Sequence, residues 1–312
     1  MARCKTIFIG TPAFGIPTLE ALFTDPYFEI VAVVSQPDRP VGRTQQLTPT
    51  PIKTVALRHR AQVFQPEKIK DILPVLTELQ PDLIVVVAYA QIIPESVLNL
   101  PQFGCINIHA SLLPKYRGAA VLQAPILHGD EQSGITIMKM DRTLDTGPII
   151  SQHPVSIIAN ETTISLGRKL SLLGGEIITN VLKRYVGGEI KPVAQDNSLS
   201  SYAPMLTKED GRINWKQSAI EIERHLRAML PWPGSWTIWN DKQLKIISVN
   251  PKPHRIDQYR LAEVFTLSNG KLAIQCGIDA LEINKVQLEG RTETDADEFL
   301  RGYPTVIHSV LT

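Results

Sequence analysis

The sequence of 312 residues is poor in several features that mark particular classes of protein. It has only three cysteines, Cys4, Cys105 and Cys276, which lie far apart and form neither a C-x-x-C pair nor a metal-ligand spacing. This sparse, odd set argues against a disulfide framework and favours a reducing, cytoplasmic setting. The H-E-x-x-H and G-x-S-x-G motifs are absent as well, so neither a zinc hydrolase nor a serine hydrolase is indicated.

Long apolar runs are also missing. The most apolar stretch, DLIVVVAYA from residue 82, has about half the length of a membrane span. The apolar run at 6–10 is too short for the core of a signal peptide and predicts a strand instead. The net charge of +1 gives no information about partners. We therefore expect no membrane partner, no DNA, no bound metal, and a monomer.

The first half of the chain alternates short β-rich runs with helical patterns. The predicted strands span 6–10, 30–35, 83–88, 105–109, 134–140 and 147–157. The predicted helices span 17–23, 52–60, 67–79, 120–128 and 162–185. The first four strands are continuously apolar, which is typical of strands with helices on both faces. The order predicts an α/β fold with a doubly wound, mostly parallel sheet.

The pattern changes after a polar, weakly periodic stretch at 189–206. We interpret this stretch as a linker between a catalytic domain, 1–188, and a second domain, 207–312. The second domain opens with a helical pattern near 218–230. Short strands are then predicted at 236–240, 243–249, 261–267, 271–276 and 280–288, a spacing that indicates a small barrel or sandwich.

Three polar residues form a candidate catalytic group. In the stretch GCINIHASLLPKYRG, Asn107 and His109 lie two apart on one strand and so share one face at its carboxyl end. Ligands of doubly wound sheets bind at that edge. The downstream stretch LDTG adds Asp145. An amide can stabilise an oxyanion, an imidazole can donate a hydrogen bond or carry a proton, and a carboxylate can orient the imidazole. The three residue types therefore suit acyl transfer without a covalent enzyme intermediate.

These stretches resemble a known family. NIHASLLPKYRGAA, GITIMKMDRTLDTG and VVSQPDRPVGR are similar to the formyltransferases that use 10-formyltetrahydrofolate. TPAFGIPTLEAL, VVVAYAQIIP, LTKEDGRINW and PWPGSW resemble the branch that formylates methionyl-tRNA, and the similarity covers essentially the whole chain. The resemblance implies a Rossmann-like formyltransferase domain followed by a small, OB-like β-barrel that contacts tRNA.

The resemblance also implies the reaction and its residues. The formyl group would pass from 10-formyltetrahydrofolate to the α-amino group of methionyl initiator tRNA, for translation initiation. The residues implied in catalysis are Asn107, His109 and Asp145. Those implied in folate binding are Ser111, Leu112, Leu113 and Pro114, with Val87, Ala88, Tyr89 and Ala90 at the pterin pocket.

The long, proline-rich loop at 35–53 contains the residue implied in tRNA binding, Arg43. A guanidinium suits phosphate because it donates two parallel hydrogen bonds. The sequence departs from the family after this residue, where Thr44, Gln45 and Gln46 replace more basic side chains. We therefore expect a smaller electrostatic contribution from this loop to tRNA binding.

Alternative functions stay open. A sister enzyme that formylates an amino sugar or hydrolyses 10-formyltetrahydrofolate would use the same three residues, whereas a tRNA-binding protein with an inactive fold would not need them. Residues 201–312 hold 14 Lys+Arg and 14 Asp+Glu, so RNA binding there would depend on local clusters such as Arg224 and Arg227. The tryptophans near PWPGSW are interpreted as packing residues rather than stacking platforms for bases.

Overall fold

The computed structural model describes residues 3–41 and 45–312. The chain forms two compact units. The first comprises Met1–Val121, Gln132–Ser156 and Gly167–Ala203, and the second comprises Leu122–Glu131, Ile157–Leu166 and Pro204–Thr312. The division into domains 1–188 and 207–312 joined by a linker at 189–206 stays a prediction.

The first unit is built on a seven-stranded sheet. The strands of this unit are β1 (Cys4–Gly10), β2 (Phe28–Val34), β3 (Arg39–Val41), β4 (Gln46–Thr48), β5 (Val63–Phe64), β6 (Leu83–Val87), β7 (Cys105–His109), β8 (Arg117–Gly118), β9 (Gln132–Lys139), β10 (Ile149–Ser156) and β11 (Tyr202–Ala203). The sheet order is β10-β9-β7-β6-β1-β2-β5, while β3 pairs with β4 and β8 with β11. β5, β2, β1, β6 and β7 are parallel, and β9 and β10 are antiparallel at one edge. The predicted mostly parallel sheet is confirmed.

Helices follow most of the predicted positions. They are α1 (Ile16–Thr24), α2 (Pro51–Arg58), α3 (Leu73–Glu78), α4 (Glu95–Leu98), α5 (Gln123–His128), α6 (Thr163–Val186), α7 (Ala219–Ala228) and α8 (Ala296–Gly302). The helix predicted at 67–79 is shorter than expected, because Ile69–Ile72 forms a 3-10 turn and the α-helix begins only at Leu73. Pro74 explains this start, since proline lacks an N–H and is tolerated in the first turn of a helix but not in its interior.

The order of the strands locates the ligand crevice of this sheet. Ile7, Phe8 and Ile9 follow one another in β1 and are all fully buried, so both faces of the sheet are covered. From β1 the chain continues to β2 and β5 on one side, and then to β6 and β7 on the other. The order therefore reverses between β1 and β6, and ligands of such sheets bind at the carboxyl ends beside that reversal.

The second unit is built on an antiparallel sheet. Its strands are β12 (Ser235–Trp239), β13 (Lys242–Val249), β14 (Val264–Thr266), β15 (Leu272–Gln275), β16 (Ala280–Leu288) and β17 (Thr294–Asp295), in the order β12-β13-β16-β15-β14 with β17 on β16. The last residues of the chain contact both edge strands. The Ile238 N–H donates to the Thr312 carbonyl at 2.7 Å, and the Val264 N–H donates to the Ser309 carbonyl at 2.9 Å. Residues 308–312 thus join the two edges, as the predicted small barrel requires.

Three of the four tryptophans pack inside the second unit. Trp215, Trp236 and Trp239 are buried, and the Trp239 ring meets the edge of Phe299 with 5.7 Å between centroids. Trp232 differs, because it is 55% exposed. The interpretation as packing residues therefore holds for the buried three. No helix in the described part of the chain is long and apolar enough to cross a membrane.

Candidate active site

Asn107 lies near the carboxyl end of β7, between β6 and β9. It is opposite Val86 of β6 and Met138 of β9 in the sheet register. Its side chain is half-buried and makes no hydrogen bond to any other described residue. A carboxamide fixed on a central strand, with its donor unused, is suited to donate to a ligand oxygen.

His109 ends the same strand and is buried, with 6% of its surface exposed. Its Nε2 lies 2.9 Å from the carbonyl oxygen of Tyr116. Because a carbonyl only accepts, Nε2 carries a proton and donates it to this bond. The other ring nitrogen, Nδ1, lies 3.6 Å from Asp145 Oδ1, which is too far for a hydrogen bond. The Tyr116 carbonyl therefore fixes the imidazole tautomer, and the orienting role expected of Asp145 stays a prediction.

The Asp145 carboxylate faces the other ring nitrogen of His109 and is held by a backbone N–H group. Its Oδ2 accepts a hydrogen bond of 2.9 Å from the Gly118 N–H. Its own backbone has φ +55, a left-handed conformation that is uncommon for residues other than glycine, asparagine and aspartate. Conformations of this kind are common where a side chain must be aimed. The side chain is largely buried, so the carboxylate acts on His109 in a medium that screens charge poorly.

The stretch after β7 forms a tight turn around Ser111. The Ser111 hydroxyl donates to the Lys115 carbonyl at 2.7 Å, and the Leu113 N–H donates to Thr136 Oγ1 at 3.0 Å. Ser111 and Leu113 are buried, whereas Leu112 and Pro114 are half-exposed. Among the four residues predicted to contact folate, only Leu112 and Pro114 therefore have partly exposed side chains, and the role of all four stays a prediction.

The segment after β6 has an unusual backbone. Ala88 and Ala90 both have positive φ, of +48 and +64, and both are exposed. Tyr89 between them is buried, and burial raises the pKa of its hydroxyl to about 12. That hydroxyl has no hydrogen-bond partner among the described residues. The Tyr89 carbonyl accepts from Gln36 Nε2 at 3.1 Å, which ties the segment to the loop after β2.

Arg43, the residue implied in tRNA binding, lies outside the described residues. The described part of its loop is anchored at Asp38, which pairs with Lys53 Nζ at 2.5 Å. This contact with Lys53, together with a hydrogen bond from Gln65, holds the pKa of the Asp38 carboxyl below its usual value. Further along the loop, β3 and β4 form an antiparallel ribbon, in which β4 is exposed.

One residue that contacts the Asp145 stretch is absent from the sequence predictions. Gln195 lies in the stretch interpreted as a linker, yet its Nε2 donates to the carbonyls of Asp145 and Gly147, each at 2.8 Å. Its Oε1 accepts from Arg117 Nη2 at 2.8 Å. These partners are 48 to 78 residues away in sequence, so no local pattern indicated the contacts. No group of three or more His, Cys, Asp or Glu that could hold a metal ion occurs within residues 3–41 and 45–312.

An amide, an imidazole and a carboxylate at the carboxyl end of a doubly wound sheet suit a transferase that acts on acyl groups. The family model described as formyl transferase matches residues 4–182, and the model of the formyl transferase C-terminal domain matches residues 205–304. The chain therefore belongs to the formyl transferase family.

Relatives in this family match the chain over nearly its whole length. A methionyl-tRNA formyltransferase of Geobacter metallireducens is 43% identical over 304 residues, which cover 97% of this chain and 96% of that protein. One of Dehalococcoides mccartyi is 42% identical over 304 residues, with the same coverage of 97% and 96%. The match thus includes both units.

Solved structures share the fold at lower identity. The sugar 3N-formyl transferase WlaRD matches with a TM-score of 0.64 and 22% identity, over 94% of this chain and all of that one. HypX from Aquifex aeolicus, solved with tetrahydrofolic acid, matches with a TM-score of 0.62 and 16% identity, over 98% of this chain and 48% of that one. At these identities the matches establish the fold alone.

Proposed function

We propose that this chain transfers the formyl group of 10-formyltetrahydrofolate to the α-amino group of methionyl initiator tRNA. The observation that carries the proposal is the single site formed by Asn107, His109 and Asp145 at the end of β7, in a chain about 43% identical to a methionyl-tRNA formyltransferase over both units. The three buried, unpaired cysteines support a reducing, cytoplasmic setting for the protein.

Asn107 is proposed to stabilise the charge that develops during transfer. When an amine attacks a formyl carbon, negative charge builds on the formyl oxygen. The Asn107 carboxamide has an unused N–H donor and is fixed by strands on both sides, so it donates without first breaking another bond. One donor of this kind contributes roughly 10²–10³ in rate.

His109 is proposed to take the proton that the amine releases as the new N–C bond forms, and to return it to N10 of the folate as the bond between N10 and the formyl carbon breaks. Its Nε2–H is committed to the Tyr116 carbonyl, so Nδ1 is the nitrogen left to accept a proton. The imidazolium formed in this way would face the Asp145 carboxylate at 3.6 Å, which stabilises the positive charge. Asp145 thus supports His109 through charge rather than through a direct hydrogen bond.

The formyl donor supplies an activated one-carbon group on a large ring system, and the residues beside the site fit such a ligand. Ala88 and Ala90 are small and exposed at the carboxyl end of β6, which pairs with β7. Because both residues have positive φ, the N–H and carbonyl groups beside them leave the directions they would have in a continuing strand. Leu112 and Pro114 add apolar surface. A flat ring with polar edges needs this combination of an apolar slot and backbone donors and acceptors.

Binding of the acceptor is assigned to two regions. We propose that Arg43 contacts a phosphate of the tRNA acceptor end, since a guanidinium matches phosphate oxygens. The second unit is proposed to contact the tRNA as well, through local groups of basic residues rather than through net charge. No other macromolecular partner is needed for the reaction, and a monomer is sufficient.

The test offers the protein one formyl donor and compares the acceptors to which it transfers the formyl group. The purified chain would be incubated with 10-formyltetrahydrofolate carrying a labelled formyl group, and with methionyl initiator tRNA, an amino sugar nucleotide, or no acceptor. Label in formyl-methionyl-tRNA supports the proposal. Label in the sugar, or free formate in all three reactions, would assign the chain to another activity of the family.

A further inference from the structure

Two loops form the walls of the site, and they come from distant parts of the sequence. The first, which we call the Tyr116 loop, comprises residues 114–118 and supplies the carbonyl that binds His109. The second, the Asp145 loop, comprises residues 141–147 and supplies the carboxylate. A direct link between them is the hydrogen bond from the Gly118 N–H to Asp145 Oδ2. One such bond restrains the two loops at a single point, although they must hold one imidazole between them.

Gln195 links the same two loops with a single planar group. Its Nε2 donates to two carbonyls of the Asp145 loop, those of Asp145 and Gly147, at 2.8 Å each. Its Oε1 accepts from Nε and Nη2 of Arg117, in the Tyr116 loop, at 3.2 and 2.8 Å. Both donors and the acceptor of the carboxamide are therefore used, two toward one loop and one toward the other.

The chain around Gln195 is itself fixed to the first unit on both sides. Before it, Val193 exchanges two backbone hydrogen bonds with Ile149, at the start of β10. After it, the Ser201 hydroxyl accepts from the Tyr116 N–H at 2.9 Å, and β11 pairs with β8. Residues 193–203 therefore form a strap across the two loops, with the Gln195 side chain near its beginning.

We propose that Gln195 is a positioning residue for formyl transfer, which sets the Asp145 carboxylate against His109 by holding the backbone on which Asp145 lies. The inference rests on the proposed function and deepens it. Gln195 does not touch the reacting atoms in this proposal. It acts through the left-handed backbone of Asp145, whose carbonyl receives one of its two donors.

The proposal requires the two N–H donors of Gln195 and does not require its contact with Arg117. Gln195→Glu keeps the acceptor for Arg117 but replaces the donors with an oxygen that repels two carbonyls. Gln195→Met keeps the length of the side chain and removes every hydrogen bond. Gln195→Asn keeps the amide but withdraws it by one methylene. Gln102 is exposed in the same unit and makes no hydrogen bond to the described residues, so Gln102→Glu and Gln102→Met are matched controls.

The experiment measures kcat and KM for both substrates in the full-length variants. We expect kcat to fall roughly 10- to 100-fold in Gln195→Glu and in Gln195→Met, because a misplacement of about 1 Å costs up to about 100-fold. Gln195→Asn is expected to fall less. KM for methionyl-tRNA and for 10-formyltetrahydrofolate is expected to change less than twofold. A Gln195→Glu variant with the kcat of the wild type would overturn the proposal, since only the Arg117 contact would then matter.

A second measurement does not depend on the reaction. Arg142 is exposed within the Asp145 loop and provides a trypsin site there. Under native conditions we expect faster cleavage after Arg142 in the Gln195 variants than in the Gln102 controls, at similar melting temperatures. Unchanged cleavage in all three Gln195 variants would refute the strap. If wild-type protein formed no formyl-methionyl-tRNA, the proposed function would fail, while the trypsin result would still decide on the role of Gln195.

Discussion

The substitution Gly118→Ala should displace the backbone N–H of residue 118 that holds the Asp145 carboxylate. Gly118 has φ +108, and a Cβ added to it would lie 2.6 Å from the Ala203 carbonyl oxygen and 2.7 Å from Cε2 of Tyr202. The carbonyl belongs to paired backbone and cannot turn aside. The Gly118 N–H would therefore move, and with it the hydrogen bond of 2.9 Å to Asp145 Oδ2.

The cost of this change has two parts. The left-handed backbone conformation alone costs roughly 1–2 kcal/mol once a Cβ is present. Loss of a hydrogen bond to a charged group adds about 1.5–3 kcal/mol. Gly188→Ala isolates the first part, because Gly188 has φ +79 and its added Cβ would meet nothing within 4 Å. We expect Gly118→Ala to be the more destabilising of the two by about 2 kcal/mol, and to lower kcat at least tenfold where Gly188→Ala leaves it unchanged.

Two assays check this expectation. Urea unfolding of the first unit has to be followed by far-UV circular dichroism, because all four tryptophans belong to the second unit. The turnover number for formyl transfer is measured on the same preparations. Equal unfolding free energies and equal kcat values for the two variants would show that the contact with Ala203 has no consequence.

Three further predictions follow from other parts of the molecule. Asn107→Ala should lower kcat by roughly 10²–10³ with little change in melting temperature, because the carboxamide makes no hydrogen bond to described residues; normal turnover would contradict its role. The hydrogen bond from His308, followed by one from the Arg260 backbone, lowers the pKa of Glu263 to about 2. A carboxyl whose pKa is lowered in the folded state stabilises the fold above pH 4.5, and this stability is lost as the pH falls toward 2. The melting temperature of the second unit, followed by tryptophan fluorescence, should therefore fall over that range, and less steeply in His308→Ala. Deletion of residues 308–312 should lower the melting temperature of the second unit by several degrees, since both edge strands lose partners; an unchanged transition in the same fluorescence assay would show that these residues do not stabilise the barrel.

Local sequence patterns predict six of the seven strands of the main sheet, including the strand that carries the site, and miss the two-residue strand β5. Continuous apolar runs such as LIVVV predicted fully buried parallel strands, and β7 has the bounds that the sequence predicted. Alternation along that strand placed Asn107 and His109 on one face, because side chains of a strand alternate. The helix at 67–79 was predicted too long although Pro74 already marked its start.

Contacts between residues far apart in the sequence could not be predicted from local sequence patterns. The partner of His109 is a backbone carbonyl, and every residue has one, so no residue type indicates it. Gln195 lies in a polar stretch whose neighbours resemble those of a solvated linker, and its role depends on loops 48 and 78 residues away. The closing segment at 308–312 contains only five residues and pairs at both edges, so its alternation was too short to identify as a strand.

The most direct test of the proposed function is a single-turnover measurement of the part played by His109, at the end of β7. Enzyme in excess over methionyl initiator tRNA would be mixed with labelled 10-formyltetrahydrofolate, and the rate constant for formyl-methionyl-tRNA formation compared between wild type and His109→Ala. We expect rapid formation by the wild type and a loss of at least about 100-fold in the variant, with tRNA binding unchanged. Equal rate constants, or product only on an acceptor other than tRNA, would contradict this expectation.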